Sequence, residues 1–405
     1  MSTVTTHIKT EKELFPVLRF KEFEGDWKKS TLKKEAIVNP RTSELPEKFI
    51  YIDLESVTKG MLVKEEEIFL SESPSRAQRL LDKDDILYQT VRPYQKNNLY
   101  FDRIGDYVAS TGYAQIKAKG DSKYLFQFLH TTPFVNVVNR WSTGTSYPAI
   151  SPSELVKIPV AFPSLPEQQK IASFLFAVDE KIQQLTKKKE LLKDYKKGVM
   201  QQLFSSQLRF KDKNGNPYPD WEEKRLGDVL EQQVREVPKP SVNYLAIGVR
   251  SHVKGTFQKP DSDPKKIAME KLFIVNENDL VVNITFAWEG AIAIVKKEDE
   301  GGLVSHRFPT YTFREEQTSH DYFKQIIIDK KFRFTLDLIS PGGAGRNRVL
   351  SKKEFVKIKW SFPCIEEQQK IATYLSSIDT KIEAVNNQII QTQTFKKGIL
   401  QQMFV

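Results

Sequence analysis

FPSLPEQQKIASFLFAVDEKI (residues 162–182) and FPCIEEQQKIATYLSSIDTKI (residues 362–382) are one phrase written twice, 200 positions apart, in a chain of 405 residues. The match extends without a gap from 153–204 onto 353–404, and 22 of these 52 aligned positions are identical. VKI recurs at Val156 and Val356, EQQKIA at Glu167 and Glu367, KKG at Lys196 and Lys396, and QQ at Gln201 and Gln401. A weaker echo lies upstream, where LRF at Leu18 and DW at Asp26 are answered by LRF at Leu208 and DW at Asp220. Two units of this length are far longer than the 20 to 50 residue repeats of a solenoid. The pattern is that of a duplication in which each half runs from a variable body into a shared tail, and a pseudo-two-fold relation between the halves is expected.

The tails have apolar residues recurring every three and four positions, which predicts helix. One stripe is Ile171, Leu175, Val178, Ile182, Leu185, Leu192, Val199 and Leu203; the other is Ile371, Leu375, Ile378, Ile382, Val385, Ile389, Ile399 and Met403. Each follows a Phe-Pro step that disfavours helix upstream, and Glu167 and Glu367 suit the N-terminal dipole. A helix of about 36 residues spans roughly 54 Å at 1.5 Å per residue and must pack along its length. Each tail is the other's obvious mate, and a period near 3.5 predicts a left-handed coiled coil. Lys189, Lys196 and Lys396 interrupt the stripe, where they either fix register or snorkel to solvent.

The expected layout is therefore a body over 1–160, a helix over 161–205, a second body over 206–360 and a second helix over 361–405. Both bodies read as mixed α and β. KFIYIDL, DILYQTV, YAQIKA, DLVVNITF, GAIAIVKK and FPTYTF have the β-branched and aromatic bias of strands, whereas SKYLFQFLHTTPF and SHDYFKQIIIDKKFRF have helical spacing. Their turn-like segments carry side chains suited to DNA. In the first body these are Arg76, Gln78 and Arg79; Thr90, Arg92, Tyr94, Gln95, Lys96 and Asn97; and Arg140, Ser142, Thr143, Thr145 and Tyr147. The second offers Asn283, His306 and Arg307, then Arg346, Asn347 and Arg348 in SPGGAGRNR. Arg, Gln and Asn pair bidentately with purine edges, and Ser, Thr, Lys and Tyr suit phosphate. Taken singly, each is equally at home on a solvated loop. Trp141 and Trp288 read as packing residues.

The balance of 62 Lys plus Arg against 52 Asp plus Glu, net +10, favours an anionic polymer as partner. The single cysteine, Cys364, supports neither a disulfide framework nor a Cys-based zinc site. The five histidines are scattered, and HExxH, GxGxxG and P-loop patterns are missing. Neither an apolar run of membrane-spanning length nor a secretory leader is visible, so the cytoplasm is expected and a membrane is not. Acidic clusters at Asp220 and Asp261 are too compressed to span two strands as nuclease carboxylates do, and read as turns. The residues describe a chain that binds and positions rather than one that catalyses.

The EQQKIA tails, each closing a body and leading into KKGxxQQxF, resemble the conserved helical regions of type I restriction-modification specificity subunits, and the resemblance covers essentially the whole chain. It implies an α+β fold in which two mixed target recognition domains are separated by two long antiparallel coiled-coil helices, whose core the apolar spacing assigns to Ile171, Leu175, Val178, Ile182, Leu185, Ile371, Leu375, Ile378, Ile382 and Val385. It implies a non-catalytic reader of a bipartite double-stranded DNA target. It further implies assembly with two methyltransferase subunits that use S-adenosylmethionine on adenine, and with two restriction subunits that use ATP and Mg to translocate and cleave. No cofactor is expected on this chain itself. A split site of two unrelated words, centred about 10 bp apart, follows as an expectation from half-site geometry. A duplicated protein-interaction scaffold that never touches DNA is the rival reading, and a cryptic nuclease ranks behind both. Salt-sensitive, sequence-selective DNA binding separates them.

Overall fold

In the computed structural model the described residues are 14–42, 44–342 and 348–405. They form two compact units, one running up to Lys187 and taking in Asn386–Val405, the other comprising Lys188–Val385. The boundary falls inside the two long helices, Leu165–Phe204 and Ile365–Gln402, so each unit holds one body, the start of its own tail helix and the end of the other. This differs from the alternation of body and helix expected from sequence. The reason is burial: the helix ends complete the body cores.

In the first unit Lys28–Thr31 pairs antiparallel with Pro159–Phe162, closing the body where the helix begins. One four-stranded sheet has the order Glu66–Phe69, Lys48–Ile52, Tyr107–Ser110, Ala77–Leu80; the other has Ala36–Val38, Tyr113–Ala118, Ile86–Gln89, Leu99–Tyr100. Ser122–Leu129 and Thr132–Trp141 are separate helices, because the chain turns at His130 and Thr131 and Pro133 starts the second helix. The main core joins Trp27, Leu32, Tyr124, Phe128 and Phe162 to Ile171 and Leu175 of the first long helix, to Ile399 of the second and to Met403 and Phe404 just past its end.

The second unit repeats the plan. Glu222–Arg225 pairs with Lys359–Phe362 in the same register sense. A four-stranded sheet follows in the order Leu230–Gln233, Thr310–Phe313, Leu280–Val282, Ile292–Ile294, with a five-stranded sheet containing Tyr244–Val249 and Thr256–Ser262. The segment that reads as one helix is again two, His320–Ile326 and Lys330–Leu338, the second capped by Asp329. Val199 and Leu203 of the first long helix and Ile371, Leu375 and Ile378 of the second enter one core with Leu226, Tyr322 and Phe355.

Within each unit the helix segments run antiparallel. Phe404, at the end of the second helix, packs on Trp27 and Tyr124 near the start of the first, while Lys396, two turns earlier, reaches Asp179, further along it. The second unit mirrors this, with Phe204 beside Trp221 and Trp360 and Lys196 on Asp379. Lys196 Nζ lies 2.8 and 2.7 Å from the two Asp379 oxygens, and Lys396 Nζ 2.6 and 2.7 Å from those of Asp179. Lys196 and Lys396 are thus paired with carboxylates of the facing helix rather than snorkelled to solvent. The seam itself is narrower than the sequence suggests. Ile171, Leu175, Ile371, Leu375 and Ile378 face the body cores as much as the partner helix, and Val178, Ile182 and Ile382 are only half-buried; Leu185 and Val385 are buried.

The shared words have a structural job. Glu167, fully buried, accepts from Arg19 Nε and Nη2, both at 2.8 Å, and from the Trp27 indole at 3.4 Å. Glu367 accepts from Arg209 Nε at 3.2 Å, Nη2 at 2.7 Å and the Trp221 indole at 3.1 Å. Gln168 and Gln368 each donate to the carbonyl of the proline five residues earlier, at 3.0 and 2.9 Å, tying the helix start to the strand before it. LRF, DW and EQQ are thus three parts of one clasp, made once in each unit.

Candidate nucleic-acid interface

In the first unit, hydrogen bonds lace the three candidate segments side by side by way of the turn at Thr111 and Gly112. Thr111 N donates to Arg76 O; Thr90 N and its hydroxyl donate to Gly112 O; Ile150 N donates to Thr90 O; and Arg92 N donates to Pro148 O at 2.7 Å. The loop 143–149 closes on itself through reciprocal Thr143 and Ala149 bonds, both 2.9 Å. Its turn needs Gly144, at φ +97°, where a Cβ would sit 3.1 Å from the Tyr147 carbonyl. The row so formed brings together Arg76, Gln78, Arg79, Arg92, Thr143 and Tyr147, which are separated by up to about 70 residues in sequence.

Among the described residues none of its three guanidinium groups has an acidic partner, and two of them are part-enclosed. Burial lowers the Arg79 pKa from its ordinary value, and its Nε is enclosed with no acceptor. Arg92 Nε is likewise enclosed and unpaired, while the guanidinium lies 4.2 Å from the centroid of the Tyr147 ring. Arg92 holds the left-handed conformation, φ 55° and ψ 54°, before the short 3-10 turn Pro93–Gln95. Arg76, Gln78, Tyr94, Arg140, Thr145 and Tyr147 are exposed, as is Trp141, which the sequence suggested was packed.

Three first-body candidates are turned inward instead. Lys96 Nζ donates to His130 O at 2.8 Å, and Asn97 Nδ2 donates to Val57 O at 2.7 Å. The Thr90 hydroxyl is buried on Gly112. Their donors are spent holding the loop, which a polar-loop argument from sequence does not distinguish from contact with a ligand. His130 below them is also structural: its Nδ1 must donate to Phe126 O at 2.7 Å, leaving Nε2 to accept from Asn98 at 3.3 Å. Desolvation, with Lys396 and Lys96 nearby, pushes its pKa down to about 4.

In the second unit the equivalent loops are 283–289 and the stretch ending at Leu350, for Leu350 N donates to Ile284 O as Ile150 N does to Thr90 O. Asn283 is buried, its side chain accepting from Thr285 N at 3.1 Å. Arg348 stacks on Trp288, 4.9 Å from the ring, but its guanidinium is engaged by Asp337 Oδ1 at 2.5 Å and Ser340 O at 3.0 Å. Asn283 and Arg348, two of the candidates for base contact, are thus engaged within the unit. His306 and Arg307 are exposed, and Arg346 and Asn347 lie outside the described residues. A cleft of about 800 Å³ opens beside these loops, walled by Tyr244, Phe257, Lys259, Lys266, Asn283 and Phe308. Sequence reasoning missed Arg250, stacked on Phe257 at 5.2 Å, and Arg333, whose buried Nε has no acceptor. Arg333 follows a helix cap and Arg250 a strand, so neither stood in a turn-like phrase. Among the described residues no three His, Cys, Asp or Glu side chains are placed to hold a metal, and no helix is long and apolar enough to cross a membrane.

Two copies of one α+β unit, with corresponding loops at one place in each fold, define a duplicated-domain protein. The sequence model of the type I restriction modification DNA specificity domain matches residues 20–194 and again 218–392, and the chain belongs to that family. It is 25% identical over 359 residues to the type I restriction enzyme MjaVIII specificity subunit of Methanocaldococcus jannaschii, covering 84% of this chain and 79% of that one. It is 28% identical over 140 residues to the HindI specificity subunit of Haemophilus influenzae, covering 33% of this chain and 29% of that one. Among solved structures, the type I restriction-modification S subunit from M. genitalium superposes with a TM-score of 0.58 at 14% identity, over 97% of this chain and 99% of that one. A chain from a type I R-M assembly structure gives 0.55 at 20% identity, over 93% and 97%. These two likenesses concern the fold.

Proposed function

We propose that this chain reads a bipartite DNA target, one word per unit, and positions methyltransferase and restriction subunits on it without catalysing a step itself. The observation that carries the reading is the matched domain occurring twice, with a row of cationic loops in the first copy and the corresponding loops in the second. Half-buried guanidiniums without carboxylates, such as Arg79 and Arg92, suit a polyanion with base edges, since an unpaired cation gains most from a partner brought from outside. S-adenosylmethionine, ATP and Mg belong on the partner subunits, two methyltransferase and two restriction chains, in the cytoplasm. The test is binding of the chain, assembled with its methyltransferase, to a random DNA library at two salt concentrations. Selection of two separated words, with affinity falling steeply as salt rises, is the expected result. Binding without sequence selection would favour the scaffold, and DNA cleavage by the isolated chain with magnesium would reinstate a nuclease.

A further inference from the structure

We infer that Arg92 is a guanine reader in the first unit, with Tyr147 as the residue that aims it; this rests on the DNA-reading function proposed above. The geometry that points there is the stacked, unpaired guanidinium. Arg92 Nε is enclosed and the ring of Tyr147 covers one face at 4.2 Å. Its two terminal nitrogens make no hydrogen bond among the described residues and are not enclosed, so they form the free edge of the fork. A planar group held by one face offers two parallel N–H donors in a fixed direction, a spacing that fits the O6 and N7 of guanine and also two oxygens of a phosphate, of which only the first is sequence-selective. The backbone is committed to the same end. Arg92 keeps a left-handed φ of 55°, uncommon for a side chain of this size, and its N–H is fixed to Pro148 O in the loop that carries Tyr147. Moving either loop would break the stack.

The second unit supplies the contrast. There too an arginine and an aromatic ring bridge the corresponding loops, but the roles are exchanged: the ring, Trp288, lies on the loop after the strand and the arginine, Arg348, on the loop before the short helix Lys352–Phe355. Arg348 is consumed by Asp337 and Ser340, so its stack braces the loops and leaves no fork to offer. The same architectural device is therefore a reader in one unit and a strut in the other.

The experiment is methylation mapping and competition binding with the assembled methyltransferase complex, comparing wild type with Arg92→Ala, Arg92→Lys, Tyr147→Ala and Tyr147→Phe. A guanine is expected in the word read by the first unit. Arg92→Ala and Arg92→Lys should each relax discrimination at that one base roughly ten- to a hundredfold, and the second word should stay intact as an internal check on folding. Tyr147→Ala should relax the same base to a smaller degree, and Tyr147→Phe should restore it, because the ring face and not the hydroxyl does the aiming. Uniform weakening on all sequences would make Arg92 a phosphate contact and overturn the inference while leaving DNA reading in place. Unchanged discrimination in Arg92→Ala would also overturn it. A wild-type complex that selects no words would instead remove the proposed function on which it rests.

Discussion

The residues that hold each unit together are the ones the sequence repeats, and their chemistry makes them sensitive to single-atom changes. Glu167 and Glu367 are buried carboxylates whose lone pairs are taken by an arginine fork and an indole N–H. Glu167→Gln would put an amide donor against the Arg19 guanidinium, and it should cost about 2 kcal/mol of unfolding free energy; Glu367→Gln should cost a similar amount. Urea unfolding of the two variants checks this, and a change below about 0.5 kcal/mol in both would contradict the clasp. His130 gives a pH signature. Its folded pKa of about 4 lies below the ordinary value of 6.5, so below pH 6.5 the unfolded chain takes up protons that the folded one does not. Stability should therefore be highest above pH 6.5 and fall between pH 6.5 and 4, by on the order of 1–2 kcal/mol given the partial exposure of the residue. His130→Gln should flatten that segment of the stability profile. At this scale the sequence showed the words LRF, DW and EQQ but not that they meet, because contacts across some 140 positions leave no local pattern. It likewise grouped Arg92, Lys96 and Asn97 as equals. Only the fold separates the stacked arginine from the lysine and asparagine that hold its loop.

For elements, periodicity carried furthest with the long helices, whose apolar stripe is uninterrupted over many turns. It overstated what that stripe touches. The first turns of each helix belong to a body core, so Leu175→Ala should cost about 3 kcal/mol, whereas Ile182→Ala, at a half-buried position, should cost about 1 kcal/mol. A coiled-coil seam alone would make the two similar. Lys196 and Asp379 should show a coupling of about 1 kcal/mol in a double-mutant cycle, limited because the carboxylate retains 43% side-chain exposure. Absence of coupling in both this pair and Lys396 with Asp179 would mean that packing alone sets the register. The body helices were harder to read. Apolar spacing runs on through His130 and Thr131, yet Pro133 opens a new helix in the first body and the cap at Asp329 opens one in the second. Capping overrides periodicity over such short spans.

For the whole molecule, the duplication was fully legible because both copies are written in one chain, while the division into units was not. Each unit borrows the end of the other's helix: Val199 and Leu203 enter the core of the second, and Ile399 and Met403 that of the first. A body is therefore a replaceable part only when both helices are kept. The central claim, that each unit reads its own word, is tested most directly by methylome sequencing of cells expressing the chain and its methyltransferase, before and after residues 15–160 are exchanged for those of a relative with the helices left in place. One word should change and the other should be preserved. A change in both words, or in neither, would contradict that claim.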